Sequence, residues 1–377
     1  MGGGYARDGH LLYPYSGVLI HLAVAILSLY AAEPPAPARA PTRSAAPELT
    51  LRQVVGQHMV FAYDGLQPPP ALRRRIARGE AAGVIVFTRN VRSAGQLRAT
   101  MRSLQAIARP RGLRAPLIVM ADQEGGPVRR IPGAPQRAAA QVPSAAQARA
   151  DGRAAARTLR SGGVNMDLAP VADVAQAGSA LERERRSYSR SAARVGQFAA
   201  AFAGGLHAGG VRATAKHYPG FGAASVNTDN APARIATSLQ RLRAVDEPPF
   251  ARLVREGVDA VMLSTAVYPA VDELPAAFSR RWVTGELRER LGFAGVSMTD
   301  DLGTPAVAAY GSNGERALRA VRAVRAGIDL PLFSSSYASS AQAAEGLLAA
   351  TKRGEVDEAG LRAAARRVLA LRAKLPR

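Results

Sequence analysis

Four apolar runs of the sequence end abruptly in polar residues whose types could do chemistry. In chain order, the run 119–121 is followed by Asp122, 213–215 by Lys216 and His217, 261–263 by Ser264, and 296–299 by Asp300 and Asp301. Carboxylates, a lysine and a histidine are groups that proteins use as nucleophiles and as general acids and bases. If the fold brings these four ends together, they form one reactive site.

Eight apolar runs of strand length alternate with longer stretches that are rich in Ala, Leu and Arg. The runs are residues 58–62, 83–87, 116–121, 164–168, 211–215, 260–263, 295–298 and 327–332. The helix-like stretches are residues 70–78, 94–108, 144–161, 192–208, 248–256, 281–291, 314–326, 341–352 and 357–373. Alternation of this kind indicates a parallel sheet, and eight units in about 325 residues predict an α/β fold, a (β/α)8 TIM-type barrel.

A barrel would explain why the polar ends follow the strands. The reactive groups of such barrels lie at the carboxyl ends of the strands, on one rim. An open dinucleotide-binding sheet is disfavoured, because no GxGxxG turn follows the first run. We therefore expect the polar residues to converge at one end of a single catalytic domain.

The composition indicates a globular protein with an arginine bias. Of the 377 residues, 47% are hydrophobic and 21% are charged, which excludes disorder throughout. The net charge is +21, but the basic residues are spread along the chain and aromatic residues are only 5%. Nucleic-acid grooves interleave basic residues with aromatic stacking platforms, so we expect no nucleic-acid partner. Lys216 is one of only three lysines, which singles it out as a compact point charge.

The sequence predicts no metal and no cofactor. It has no cysteine, which excludes disulfides, thiolate metal sites and a cysteine nucleophile. Its five histidines show neither HxH nor HExxH spacing.

The first 47 residues have the layout of a targeting segment. Residues 17–32 form an apolar run that is short for a membrane span, and a Pro/Ala-rich linker follows at 33–47. Residues 1–32 are interpreted as a signal peptide or membrane anchor, with cleavage favoured over a membrane tether through 17–32 and over a buried helix. The catalytic domain is then 48–377, and the location is extracytoplasmic, secreted or membrane-anchored.

Several strings in a fixed order resemble the family 3 glycoside hydrolases, specifically the single-barrel β-N-acetylglucosaminidase (β-N-acetylhexosaminidase) branch. They are DQEGGPVRR at 122–130, KHYPGFG at 216–222, TDDL at 299–302, GVIVFTRNV at 83–91, VNMDLAPVADV at 164–174, RRSYS at 185–189 and DAVMLSTAVYPAVD at 259–272. The resemblance covers nearly all of the chain after the linker.

The resemblance implies a role for each matching residue. Asp300 would be the nucleophile that forms a glycosyl-enzyme in a retaining reaction. Asp301 is expected instead to form an Asx-turn or helix N-cap. The residues that would hold the sugar's hydroxyls and acetamido group are Asp122, Arg130, Arg186, Lys216 and His217. The substrate would be an amino-sugar glycan of a cell wall or chitin type, and we expect a monomer.

The loop after Lys216 departs from the family pattern. That pattern reads K-H-aromatic-P-G-H-G and then D-[ST]-H, where the last histidine is the acid/base and the aspartate orients it. Here Phe221 replaces the first loop histidine, Asn227 the orienting aspartate and Asp229 the acid/base. Asp229 could carry the proton itself, or it could be a turn residue.

Other readings stay open at this point. The protein could act on substrates that need no acid, transfer the sugar to phosphate instead of water, or only bind sugars. A Schiff-base aldolase is a further alternative, since a lysine at a barrel strand end suits that chemistry.

Overall fold

The structure is a computed structural model that describes Met1, residues 48–311 and residues 315–376. The expected segments at 1–32 and 33–47, and with them the possible membrane tether, lie outside the described residues. Within the described part, no helix has the length and apolar character needed to cross a membrane.

Seven parallel strands form the central sheet, and they are hydrogen-bonded in chain order. They are β1 Val60–Phe61, β2 Gly83–Ile85, β3 Ile118–Ala121, β4 Met166–Asp167, β5 Arg212–Tyr218, β6 Ala260–Leu263 and β7 Val296–Thr299.

The segment 328–333 closes the sheet into a barrel, and we call it the closing segment. It forms parallel bridges to both edge strands, Leu330 with Met298 of β7 and Phe333 with Phe61 of β1. The backbone N–H of Leu330 donates to the carbonyl of Ser297 at 3.0 Å, and the N–H of Leu302 donates to the carbonyl of Leu332 at 2.8 Å. The predicted (β/α)8 barrel is confirmed, with an eighth position held by bridges instead of a regular ladder.

Alternation along the strands separates two apolar cores, as the period of two in a strand requires. Inside the barrel lie the side chains of Val60, Ile85, Ile118, Met120, Met166, Leu168, Ala260, Met262, Val296, Met298, Leu330 and Leu332. Their sequence neighbours, such as Phe61 and Val119, pack outward against the helices. The closing segment follows the same alternation, with Leu330 and Leu332 inside, so it occupies the eighth strand position.

Helices surround the sheet. The α-helices of seven residues or more are Leu51–Gln57, Pro70–Arg78, Ala94–Gln105, Ala145–Ser161, Ala192–Ala208, Pro248–Arg255, Arg316–Ala326, Tyr337–Lys352 and Glu358–Ala373, and Arg281–Arg290 is π-helical. Short helical turns are Thr88–Asn90, Ala139–Gln141, Ala180–Arg183, Leu239–Arg241, Leu242–Asp246, Ala276–Phe278 and Pro305–Tyr310. Serine and threonine side chains cap several of these helices, as Ser144 and Ser191 do by accepting backbone N–H groups.

The elements agree with the sequence-based expectations except at a few boundaries. The fifth strand continues to Tyr218, so Lys216 and His217 lie in the strand and not after it. The helix expected from residue 341 begins at Tyr337, where Ser336 accepts the N–H of Ser339 as its N-cap. The first turn of this helix contains two serines and shows no apolar periodicity, which explains why the predicted helix starts later than the observed one.

Asp329 fixes the closing segment at the amino end of the barrel. Its fully buried carboxylate accepts the N–H of Ser297 at 2.9 Å and binds Arg288 and Arg367, each at 2.7 Å. Its backbone carbonyl contacts His58 Nδ1 at 2.7 Å. The carboxylate of Asp329 thus joins β7 and two surrounding helices, and its backbone carbonyl adds the residues that lead into β1.

We predict that Asp329→Asn destabilises the fold by about 3–5 kcal/mol, because it removes a buried anion that two partly buried guanidinium groups share. Chemical denaturation measures the free energy of unfolding. The control is Glu355→Gln, which breaks the exposed pair of Glu355 with Arg353 and should change that free energy by no more than about 1 kcal/mol. Equal stability of the two variants would contradict this role for Asp329.

Candidate active site

One pocket of about 560 Å³ opens at the carboxyl end of the strands, and all seven predicted site residues line it. These residues are Asp122, Arg130, Arg186, Lys216, His217, Asp229 and Asp300. The convergence expected from the barrel is therefore present for the ends of β3, β5 and β7. Ser264, which follows β6, is buried and does not line this pocket. Its hydroxyl oxygen accepts the N–H of Ala266 at 3.0 Å.

Lys216 lies at the centre of an ion cluster. Its ammonium group is 2.7 Å from Asp122 and 2.6 Å from Glu124, and only 2% of the residue is exposed. Burial alone would lower the pKa of Lys216, but the two carboxylates outweigh burial and raise it. Burial likewise opposes ionisation of Asp122, yet Lys216 and Arg130 hold the pKa of that carboxyl well below its usual range.

Arg186 extends the cluster through Glu124. Two of its nitrogens bind the Glu124 carboxylate side by side, at 2.9 and 2.8 Å, and the third binds Glu184 at 3.1 Å. Despite burial, Arg186 and Lys216 lower the pKa of Glu124 to about 2. The pair is the bidentate arrangement that a planar guanidinium allows and an ammonium does not.

His217 is held by Asp173, which reaches the site from the segment after β4. The Asp173 carboxylate contacts His217 Nδ1 at 2.8 Å and accepts the backbone N–H of Phe221 at 2.7 Å. The ring of Phe221 packs edge-on against the imidazole, with centroids 5.8 Å apart. His217 is therefore not an ordinary core histidine: Asp173 sets its orientation, and Nε2 is the nitrogen left to meet a ligand in the pocket.

The loop that carries Asp229 is attached to the same cluster through Asn227. Asn227 donates to Glu184 at 3.1 Å, and its side-chain oxygen accepts the N–H of Asp229 at 2.9 Å. Asn227 thus connects the ion cluster to Asp229.

Asp229 is an exposed residue, and it also lines the pocket. Loss of water around that carboxyl, and then the negative charge of Asp300, raise the pKa of Asp229 to about 6. A carboxyl with such a pKa is protonated in a useful fraction of molecules near neutral pH.

Asp300 and Asp301 follow β7 but differ in surroundings. Asp301 accepts the N–H of Gly303 at 2.8 Å, which is the expected Asx-turn, and it also accepts the N–H of Ser334 at 3.1 Å. Asp300 accepts only the N–H of Asp301, at 2.9 Å, among the residues that the structure describes. One oxygen of Asp300 is therefore without a protein donor.

The carboxylates of the pocket fall into two groups. Asp122 and Glu184 are paired with cations, and Asp301 is fixed by its turn and by the Ser334 hydroxyl. Within residues 48–311 and 315–376, Asp300 and Asp229 make no ion pair. The arrangement is suited to proton transfer and nucleophilic attack by these two residues, next to a cluster that can bind hydroxyl groups.

Schiff-base chemistry fits the site less well. A Schiff-base lysine must lose its proton, whereas Lys216 is stabilised as an ammonium by two carboxylates. Among the described residues, no group of three or more histidine, aspartate or glutamate side chains is arranged to hold a metal ion.

Sequence reasoning missed three residues of the site, Glu124, Asp173 and Glu184. Glu124 stands two residues after Asp122, and Asp173 interrupts an otherwise apolar stretch after β4. An acidic residue in an apolar run beyond a barrel strand was the available signal. Glu184 gave none, because it lies among alternating charges at 182–186.

Comparison with known proteins agrees with the geometry. Residues 50–371 match the sequence profile of the glycosyl hydrolase family 3 N terminal domain. An uncharacterized secreted glycosyl hydrolase of Arthroderma benhamiae is 38% identical over 345 residues, which are 88% of this chain and 96% of that protein. A beta-hexosaminidase of Pseudomonas aeruginosa is 36% identical over 290 residues, 75% of this chain and 83% of that protein.

Solved structures share the fold. A family 3 beta-N-acetylglucosaminidase of Paenibacillus superposes with a TM-score of 0.79 at 32% identity, and the match covers 87% of this chain and 63% of that one, less than two thirds of it. A beta-N-acetylhexosaminidase of Beutenbergia cavernae gives a TM-score of 0.77 at 32% identity, with 86% and 99% covered. The motifs, the barrel and the matched profile together show that this chain belongs to glycosyl hydrolase family 3.

Proposed function

We propose that the protein hydrolyses the O-glycosidic bonds of β-linked N-acetylglucosamine-type sugars with retention, through a glycosyl-enzyme on Asp300. The observation that carries the proposal is the pair of carboxylates, Asp300 and Asp229, that share the pocket and form no ion pair with any residue that the structure describes. Glycosidases use two carboxyl groups with different roles, one of them with a raised pKa. The relatives named as beta-hexosaminidase and beta-N-acetylglucosaminidase support the choice of sugar.

Asp300 is the proposed nucleophile. Its unpartnered oxygen would attack the anomeric carbon as the bond to the leaving-group oxygen breaks, giving a glycosyl ester. A cation bound directly to this carboxylate would weaken it as a nucleophile, and Lys216 is instead engaged by Asp122 and Glu124. Water then attacks the same carbon and releases Asp300.

Asp229 is the proposed acid and base. In its protonated form it would donate to the departing oxygen, and afterwards it would accept the proton of the attacking water. The raised pKa supports the first of these roles, and ionisation after that donation supplies the second. Asn227 would act as a positioning residue, since it holds the backbone of Asp229 and binds Glu184.

The ion cluster is proposed to bind the sugar. Arg130, with about a third of its side chain exposed, and His217 Nε2 can donate to hydroxyl or acetamido oxygens, and Asp122 can accept from a hydroxyl. Hydrogen bonds to charged groups are stronger than neutral ones, which favours recognition of a hydroxyl-rich ligand.

We expect Asp300→Asn to reduce turnover by at least about 10³-fold, because the amide has the same shape but cannot form the ester. Affinity for N-acetylglucosamine and thermal stability should stay close to those of the parent. A control with the same charge change is Glu256→Gln on an exposed helix end, which should keep full activity. Activity of Asp300→Asn within about tenfold of the parent would remove Asp300 from this role.

Asp229→Ala should slow glycosides with alkyl leaving groups by about 10²–10⁴-fold, yet barely affect bond cleavage in nitrophenyl glycosides, whose leaving groups need no proton. In the parent, kcat/KM for alkyl glycosides should fall as pH rises through about 6, since only the protonated carboxyl donates. This basic limb should disappear in the variant.

Asn230→Ala, a change at the next exposed residue of the loop, is the control for Asp229 and should leave both substrate classes unaffected. Fast cleavage of alkyl glycosides by Asp229→Ala would show that another residue is the acid. Sugar binding without turnover of either class by the parent would identify a binding protein. A sugar 1-phosphate formed when phosphate is present would identify phosphate as the acceptor.

An extracytoplasmic location is proposed from the sequence of residues 1–47 and from the secreted relative of Arthroderma benhamiae. Amino-sugar polymers of a wall or chitin lie outside the membrane, so the proposed substrate fits that location. Amino-terminal sequencing of the protein from cell fractions should find a chain that begins near the Pro/Ala linker. Protein with Met1 intact in the cytosol, next to a cytosolic marker, would contradict the proposal.

A further inference from the structure

A second pocket, of about 650 Å³, lies at the opposite end of the barrel from the active site. Its walls include Pro116, just before β3, and the residues 163–165, just before β4. The helices Ala94–Gln105 and Ala145–Ser161 flank it. We call it the basal pocket.

Five arginines and no acidic residue line the basal pocket, as far as the structure describes the chain. They are Arg98, Arg102, Arg109, Arg114 and Arg160. None of the five forms an ion pair within the described residues, whereas Arg75 is paired with Glu345 and Arg288 with Asp329.

The amide side chains of the pocket are engaged in the fold. Asn165 binds the backbone of Val119 and Leu117, and Gln105 binds the backbone of Leu117 twice. The buried apolar side chains of Met101 and Val164 also contribute to the lining. Arg109 is engaged as well, because it donates to the carbonyls of Leu113, Gln105, Ile107 and Arg114, and Arg160 donates to that of Gly209. The guanidinium groups of Arg98, Arg102 and Arg114 are left for polar recognition, so the pocket is suited to anionic charge and not to the hydroxyls of a neutral sugar.

A fully buried arginine behind the pocket adds a second observation. Arg372 donates to the carbonyls of Pro116, Leu113 and Ala115, at 3.0, 3.1 and 2.6 Å, and makes no ion pair within the described chain. Burial, and then the charge of Arg109, lower the pKa of Arg372 to about 10. The charge of Arg372 is thus not paired with a carboxylate of the described chain, and an anion bound in the neighbouring pocket would be attracted to it.

We propose that the basal pocket binds a ligand with several phosphoryl groups in series. Guanidinium forks match the oxygens of phosphate in two-point contacts, and the forks of Arg98, Arg102 and Arg114 border a volume far larger than one phosphate needs. A chain of phosphoryl groups presents a negative charge and at least two free oxygens at every phosphorus, so it can meet several guanidinium groups at once. Both a free oligophosphate and a poly(phosphodiester) chain have this chemistry.

The test is calorimetric titration of the full-length protein with linear tripolyphosphate at about 0.15 M salt, where the Debye length is about 8 Å. The variant Arg98→Gln/Arg102→Gln/Arg114→Gln removes three exposed charges of the pocket. The control Arg74→Gln/Arg149→Gln/Arg255→Gln removes three exposed charges on other helices. We expect one saturable site, weakened at least about tenfold in the pocket variant and by no more than about twofold in the control.

Thermal unfolding of both variants checks that they are folded. The melting temperatures should match the parent's, because the substituted residues are exposed. Equal weakening of binding in both variants, or no saturable binding, would show that the protein attracts anions only through its overall charge, and it would overturn the proposal.

Poly-L-glutamate that binds as tightly per charge as tripolyphosphate would overturn the preference for phosphate. A poly(glycerol phosphate) chain that competes with tripolyphosphate would identify a polymer as the source, whereas failure to compete would identify a free oligophosphate. Glycosidase activity is not part of this readout, so the proposal stands or falls independently of the active-site roles.

Discussion

The buried ammonium group of Lys216 is the constraint around which the active site is organised. A charge taken out of water at the end of a barrel is costly unless anions surround it, and Asp122 and Glu124 supply them. Arg130 and Arg186 bind these carboxylates from the other side, and Glu184 in turn pairs with Arg186. Because these side chains come from β5 and from the segments that follow β3 and β4, the same ion pairs that satisfy Lys216 also fix the walls of the pocket.

The cluster is close to neutral without the two residues proposed to react. Lys216, Arg130 and Arg186 carry three positive charges, and Asp122, Glu124 and Glu184 carry three negative ones. Asp300 and Asp229 are therefore not needed to hold the pocket together. The repulsion between these two carboxylates is not offset by a cation paired with either of them in the described chain, and it contributes to the raised pKa of Asp229.

The barrel and most of the pocket could be predicted from the sequence because both rest on local signals. Apolar runs of strand length marked all eight positions, and abrupt polar ends marked Asp122, Lys216 and Asp300. The contacts between distant segments could not be predicted. Nothing local shows that Glu184 binds Asn227, 43 residues away, or that Asp329 joins two helices to β7. The irregular eighth strand also had no signal, since its apolar run resembles those that form full ladders.

The backbone bond from Phe221 to Asp173 has a consequence for how this fold can diversify. The N–H group that Asp173 accepts is present in every residue except proline, so the shape of the loop does not depend on the side chain at that position. This backbone contact can therefore persist whether position 221 carries a polar ring, as in the family pattern, or an apolar one, as here. The chemistry of the ring beside His217 can change while Asp173 still holds the backbone of the loop.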